Sequence, residues 1–111
     1  MLAAVMTALA VQAGAYETNY QTALQCAVTA STLGLTREEP EMGPLRTLGG
    51  RLMTLASTLA PAEMSVEAFR ADVVNTQNLL FTLTGHPSEP GFEAQMQAMA
   101  PEVERCRALV D

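Results

Sequence analysis

The stretch PLRTLGGRLMTLASTL, at residues 44–59, decides the fold of this chain. Its leucines recur at alternating intervals of three and four residues, which is the spacing of one face of an α-helix. Pro44 suits the first turn of a helix, where a missing N–H costs nothing. Such a stripe has to be covered by other helices, so the segment predicts a seam within a helical bundle. The stripe consists of Leu45, Leu48, Leu52, Leu55 and Leu59.

Two adjacent glycines interrupt this helix. Each costs about 1 kcal/mol relative to alanine in a helix interior, so their presence calls for a structural reason. Gly49 lies on the leucine face, and we expect it to let a neighbouring helix approach closely. A kink at Gly49 and Gly50 is the alternative.

Helices are also predicted on both sides of this segment. The upstream helix runs from about Glu17 to Leu33, and the downstream helix follows Ser65, a favoured N-cap, and stops at Gly85. The inner face of the upstream helix is expected to carry Tyr20, Ala23, Leu24, Ala27, Ser31 and Leu35. The inner face of the downstream helix is expected to carry Val66, Phe69, Val73, Thr76, Leu80 and Leu83.

A last helix begins near Ser88 to Pro90, with Pro101 inside it. Proline removes a helical hydrogen bond, so we expect a kink or a restart at Pro101. Its inner face is predicted to carry Phe92, Met96, Met99, Val103, Cys106 and Val110.

The composition supports an all-α fold. The chain has 111 residues, of which 49% are hydrophobic and 5% aromatic, with no tryptophan. Its core therefore draws on Ala, Leu, Val and Met, which favour helices over strands. We predict a single domain at residues 16–111, built as a small antiparallel bundle of about four helices.

The first 15 residues carry no charge and resemble the end of a signal peptide. Leu2 to Val11 has the length of its apolar region, and Ala13 and Ala15 place small residues at the positions that signal peptidase reads. No arginine or lysine precedes this stretch, which departs from the signal-peptide pattern. Because Ala, Leu, Val and Met suit a buried helix equally well, an additional N-terminal helix is the alternative. The stretch is too short and too rich in alanine for a membrane span, and no span is expected in the mature chain.

The two cysteines, Cys26 and Cys106, lie 80 positions apart. Zinc, haem and thioredoxin motifs need closely spaced ligands, so a structural disulfide is the prediction. Disulfides persist in oxidising compartments, which agrees with a periplasmic or secreted bacterial protein. Two unpaired buried thiols are the alternative.

Net charge and motif content exclude several functions. A formal charge of −6 disfavours nucleic acids and anionic membrane surfaces as partners. No nucleophile elbow or phosphate-binding loop is present, so neither an enzyme nor a cofactor is expected.

Two kinds of side chain could act as metal ligands. His86 is the only histidine of the chain, and we expect it to be an exposed loop residue. Met96 and Met99 could offer thioether ligands to copper, although core packing is the favoured interpretation.

Two helices carry polar but uncharged residues where charges are usual. Protein interfaces are depleted in charged residues, so these faces predict contact with a protein partner or with another copy of the chain. Polar faces that are simply in contact with water are the alternative. The residues are Thr18, Thr22, Gln25, Thr29 and Thr32 in the upstream helix and Asn75, Gln77 and Asn78 in the downstream helix.

The favoured function is therefore a small exported module that acts by binding protein. Two other hypotheses stay open: a carrier that holds a small apolar ligand in the bundle interior, and a soft-metal binder that uses the two methionines.

Overall fold

The computed structural model describes residues 16–111, and within this range the chain forms five α-helices and no strand. The all-α class is confirmed, with one helix more than predicted. The helices are α1 (Tyr20–Leu35), α2 (Met42–Leu59), α3 (Val66–Thr84), α4 (Phe92–Ala98) and α5 (Ala100–Cys106), followed by a short 3-10 helix at Arg107–Leu109. The prediction of a signal-peptide remnant concerns residues 1–15, which lie outside the described range.

Helix α1 lies at the centre of the bundle and contacts each of the other four helices. It runs antiparallel to α2, because Gly34 at its end lies against Leu45 near the beginning of α2. It runs parallel to α3: its first residue, Tyr20, contacts Phe69, with the ring centroids 6.2 Å apart, while Thr32 lines a cleft with Phe81. Both α1 and α3 therefore end on the same side of the bundle.

The helix ends follow local capping chemistry. The side chain of Asn19 accepts a hydrogen bond from the N–H of Thr22, so α1 begins at Tyr20 rather than at the predicted Glu17. The hydroxyl oxygen of Ser65 accepts from the N–H of Ala68, as expected of the N-cap of α3. Gly85 ends α3 with a φ of 85°, a conformation that glycine adopts without strain.

The chain restarts at Pro101, as the sequence predicts. Helix α4 ends at Ala98, and Pro101 then occupies the first turn of α5, where proline needs no hydrogen-bond acceptor. The predicted inner face is confirmed at every position except Val110, which is half-buried.

The core consists of aliphatic side chains and methionines from all five helices. Within the leucine stripe, Leu48 and Leu52 are fully buried, Leu45 and Leu55 are half-buried, and Leu59 at the end of α2 is exposed. The largest fully buried apolar side chains are Leu33, Leu48, Leu52, Leu80, Met96 and Val103. They belong to one cluster that fills the space between the helices.

Close packing, rather than a kink, explains Gly49. Helix α2 continues through both glycines, and a Cβ atom added at Gly49 would collide with the side chain of Ser31 in α1. A Cβ at Gly50 would meet no atom within 4 Å. The first glycine is therefore required by the contact between α1 and α2, whereas the second is not.

Cys26 and Cys106 form a disulfide, with their Cα atoms 5.8 Å apart. The bond joins α1 to the end of α5, and both residues are fully buried. The predicted pairing is confirmed. In the part of the chain from residue 16 onward, no helix combines the length and the apolar character that crossing a bilayer requires.

Candidate functional site

The polar residues of α1 do not form an outward face. Thr22, Gln25 and Thr29 are buried, at 3%, 4% and 0% exposure, and Thr32 is also buried; only Thr18, which precedes the helix, is exposed. The prediction of an exposed face here is wrong because α1 is the central helix and the other four helices cover most of its surface.

Threonine is tolerated at these buried positions because its hydroxyl group can donate a hydrogen bond to a backbone carbonyl oxygen of its own helix. Thr29 donates to the carbonyl oxygen of Gln25 at 2.7 Å, and Thr32 donates to that of Val28 at 2.8 Å. A hydroxyl bonded to the preceding turn of its own helix needs neither water nor a partner protein. The buried threonines Thr29 and Thr32 are therefore explained by the fold alone.

The corresponding residues of α3 are exposed, as predicted. Asn75 and Asn78 lie opposite the buried side of the helix, which carries Thr76 and Leu80. We call this outward surface the α3 face; it consists of Ala71, Val74, Asn75, Asn78, Leu79 and Thr82, all of them exposed. Val74 and Leu79 leave 51% and 47% of their surface in solvent. The sequence identified the amides but not these two apolar side chains beside them.

Asp72 is the only charged residue between Ala71 and Thr84, and it lies at the edge of the α3 face, where it lines a small cleft with Asn75 and Leu79. The phenol of Tyr20 donates a hydrogen bond of 2.7 Å to its Oδ2 atom. The contact joins α1 to α3 and occupies one oxygen of this carboxylate.

This contact makes the free energy of unfolding fall as the pH rises through the alkaline range. Burial first, and then the hydrogen bond to Asp72 and its negative charge, raise the pKa of Tyr20 from 10.0 to about 12. The neutral phenol is thus favoured by folding, so its contribution is complete below about pH 10 and is lost as the pH rises toward 12. Tyr20→Phe should lose less stability than the wild type over that interval, measured by urea unfolding at each pH.

Tyr16 serves as an internal control in this comparison. Its pKa is raised by burial and by Glu102, and it is present in both proteins, so its contribution cancels. Equal losses of stability in the wild type and Tyr20→Phe would contradict the assignment.

A concave surface lies where α1 ends, next to Phe81 of α3. It is a cleft of about 460 Å³, open to solvent on one side, and we call it the end groove. Its apolar wall includes Leu35, Phe81 and Phe92, and the carboxylates of Glu89 and Glu93 also line it. Leu35 is 74% exposed, although the helical periodicity predicts a buried position for it.

The loop that borders the end groove is held by short-range contacts. The Nδ1 atom of His86 lies 2.8 Å from the hydroxyl oxygen of Ser88, and the His86 ring packs against Phe81, with centroids 5.9 Å apart. The N–H of Glu89 donates to the carbonyl oxygen of His86. His86 is exposed, as predicted, and helps to fix the shape of the loop.

The two methionines considered as soft-metal ligands are core residues. Met96 is fully buried and Met99 is 6% exposed, and both belong to the main apolar cluster. Across residues 16–111, no three His, Cys, Asp or Glu side chains come together in a group that could hold a metal ion. Two surfaces combine exposed apolar side chains with polar groups: the α3 face and the end groove.

Comparisons with protein-family models, with curated proteins and with solved structures gave no match to this chain. Its function therefore has to be inferred from its own residues.

Proposed function

We propose that this chain is an exported module that binds another protein through the α3 face. The observation that carries the proposal is the exposure of two apolar side chains, Val74 and Leu79, on a helix surface whose own six residues are uncharged. Its acidic neighbours Glu67 and Asp72 lie at its edges. The central part of a protein interface is depleted in charged residues because charges are costly to remove from water.

The composition of the α3 face favours protein contact over simple solvation. Covering the half-exposed side chains of Val74 and Leu79 would contribute about 1 kcal/mol each through apolar burial. Asn75 and Asn78 can both donate and accept hydrogen bonds, which suits the polar part of an interface. The apolar side of an amphipathic helix of a partner could cover Val74 and Leu79 together.

The charge of the chain favours a different protein as partner over a second copy. Each copy carries a formal charge of −6, and two copies repel each other over distances comparable to the Debye length of about 10 Å at 0.1 M salt. A partner with less negative charge avoids this repulsion.

An exported location agrees with the disulfide. Cys26 and Cys106 are paired, and such bonds persist in the periplasm and outside the cell, whereas cytosolic thiols are usually kept reduced. The signal-like sequence of residues 1–15 adds independent support. We therefore propose a periplasmic or secreted bacterial protein.

Site-specific cross-linking tests the α3 face. A photo-reactive amino acid at Asn78 should cross-link to one defined protein in the host envelope, whereas the same group at Thr47, an exposed residue of α2, should not. The additional substitution Asn75→Arg should lower the yield of this cross-linked product at least about tenfold, because burying an unpaired charge in the interface costs more than 1.4 kcal/mol.

Three results would contradict the proposal. The first is equal cross-linking from Asn78 and Thr47, and the second is an adduct that Asn75→Arg leaves unchanged. The third is an adduct formed only with a second copy of the chain, which would identify self-association instead.

A further inference from the structure

We infer that the end groove receives a cationic, apolar segment of the partner protein, with an arginine or lysine side chain facing Glu89 and Glu93 and apolar side chains on Leu35 and Phe81. The inference rests on the proposed function, because it takes the occupant to be part of a protein. It adds the chemical character of that partner.

The apolar wall of the groove is incomplete in the isolated chain. Leu35 leaves 74% of its surface in water, next to the half-buried ring of Phe81 and the buried ring of Phe92. Phe81 and Phe92 pack edge to face, with centroids 6.1 Å apart, and this contact fixes the positions of both rings in the apolar wall. An apolar side chain placed here would cover Leu35 and contact both rings.

The electrostatic character of the groove is negative. Glu89 and Glu93 line it, and within residues 16–111 the salt bridges of the chain involve other acids. None of the residues that line the groove is an arginine. The nearest arginine along α1 and its cap, Arg37, is held by Glu41 at 2.7 Å and lines a different cleft.

The end of α1 adds to this negative character. Helix α1 finishes at the groove at Leu35, and the carbonyl end of a helix carries the equivalent of about half a negative charge. The N-terminus of the short helix α4, at Phe92, also lies at the groove and has the opposite polarity, so Glu89, Glu93 and the net charge of −6 determine that the groove favours a cation.

The shape of the groove favours a protein segment over a small molecule. Small-molecule sites enclose most of their ligand, whereas this cleft is open along one side. It also adjoins the α3 face: Gln77 and Phe81 line the groove and follow Val74 and Asn78 by one helical turn. A partner bound to the α3 face can therefore extend a segment into the groove.

A peptide titration of the purified, oxidised protein tests this inference. The probe is a fluorescently labelled peptide that contains Arg-Leu-Ala-Leu, and the comparison peptides replace Arg by Glu or both Leu by Ser. Fluorescence anisotropy should show saturable binding of the first peptide, at least about tenfold weaker binding of the other two, and weaker binding as salt is raised.

Matched variants locate the binding site. Glu89→Gln with Glu93→Gln should weaken binding of the Arg peptide about tenfold, as expected for the loss of two partly exposed ion pairs. Leu35→Ser should weaken it as well. Glu63→Gln with Glu67→Gln removes the same charge from exposed positions at the opposite end of the bundle and should leave binding within about twofold of wild type.

The inference is overturned by equal affinity for the Arg and Glu peptides, by equal effects of the two pairs of Gln substitutions, or by lack of saturable binding. Equal binding of a simple alkylamine would also overturn it in favour of a small amphiphile. If peptide binding fails while the cross-link from Asn78 persists, only the inference about the end groove is wrong. If the cross-link is lost while peptide binding persists, only the proposal for the α3 face is wrong.

Discussion

Replacing both Cys26 and Cys106 with alanine is expected to lower the free energy of unfolding by about 4 kcal/mol. The disulfide closes a loop with a sequence separation of 80, and without it the unfolded chain gains the conformational freedom that the closure removes. Because domains of this size have a total stability of about 5–15 kcal/mol, the variant should unfold at much lower urea concentration and about 15 °C below the wild type.

Circular dichroism during urea and thermal unfolding measures this difference. A reducing agent should bring the wild type to the stability of the double variant and should leave the variant itself unchanged. A loss of less than about 1 kcal/mol would show that the helices hold together without the bond between α1 and α5.

The two glycines of α2 are expected to respond to the same substitution with opposite signs. Gly49→Leu should lower the free energy of unfolding by about 3 kcal/mol, because the new side chain meets Ser31 in α1 and forces the two helices apart. Gly50→Leu should raise it by about 0.7 kcal/mol, because a Cβ there has open space and leucine favours a helix.

The comparison of the two variants isolates the packing contact. Both replace glycine by leucine in the same helix, so their propensity terms nearly cancel, and the difference of about 3–4 kcal/mol reports the contact with α1. Urea unfolding measures it. Equal stability of Gly49→Leu and Gly50→Leu would refute the close approach at Gly49.

Features set by neighbouring residues could be predicted from the sequence. The beginning of α3 after Ser65, its end at Gly85 and the restart at Pro101 depend on capping and on missing hydrogen bonds, which act within one helical turn. The pairing of Cys26 with Cys106 was predictable because the chain has no other cysteine.

The surroundings of α1 could not be predicted in the same way. Its periodicity divides the helix into an apolar and a polar face, but periodicity does not reveal how many neighbours a helix has. Thr22, Gln25 and Thr29 are buried because α1 is central, and the threonine hydroxyl groups conceal this by bonding to the backbone.

The end groove was missed for a related reason. Helical spacing gives the direction in which Leu35 points but not how far the neighbouring helices extend along the axis. The groove also needs Glu89 and Glu93 next to the end of α1, and they are more than 50 positions away in the sequence. For the α3 face, Asn75 and Asn78 could be identified because exposed helices usually carry charges.

The central position of α1 has a consequence for the order of folding. Within residues 16–111, every helix that surrounds α1 follows it in the sequence, so α1 leaves the ribosome before any of these helices can shield it. The threonines and alanines of α1 that are buried in the folded chain are exposed to water at this stage. Cys26 cannot form its native disulfide until Cys106 has been synthesised. The bond between Cys26 and Cys106 is therefore formed late in maturation. Earlier attack of the Cys26 thiolate on the disulfide of another molecule, which releases one of that molecule's sulfurs as a thiol, diverts the chain into a mixed disulfide.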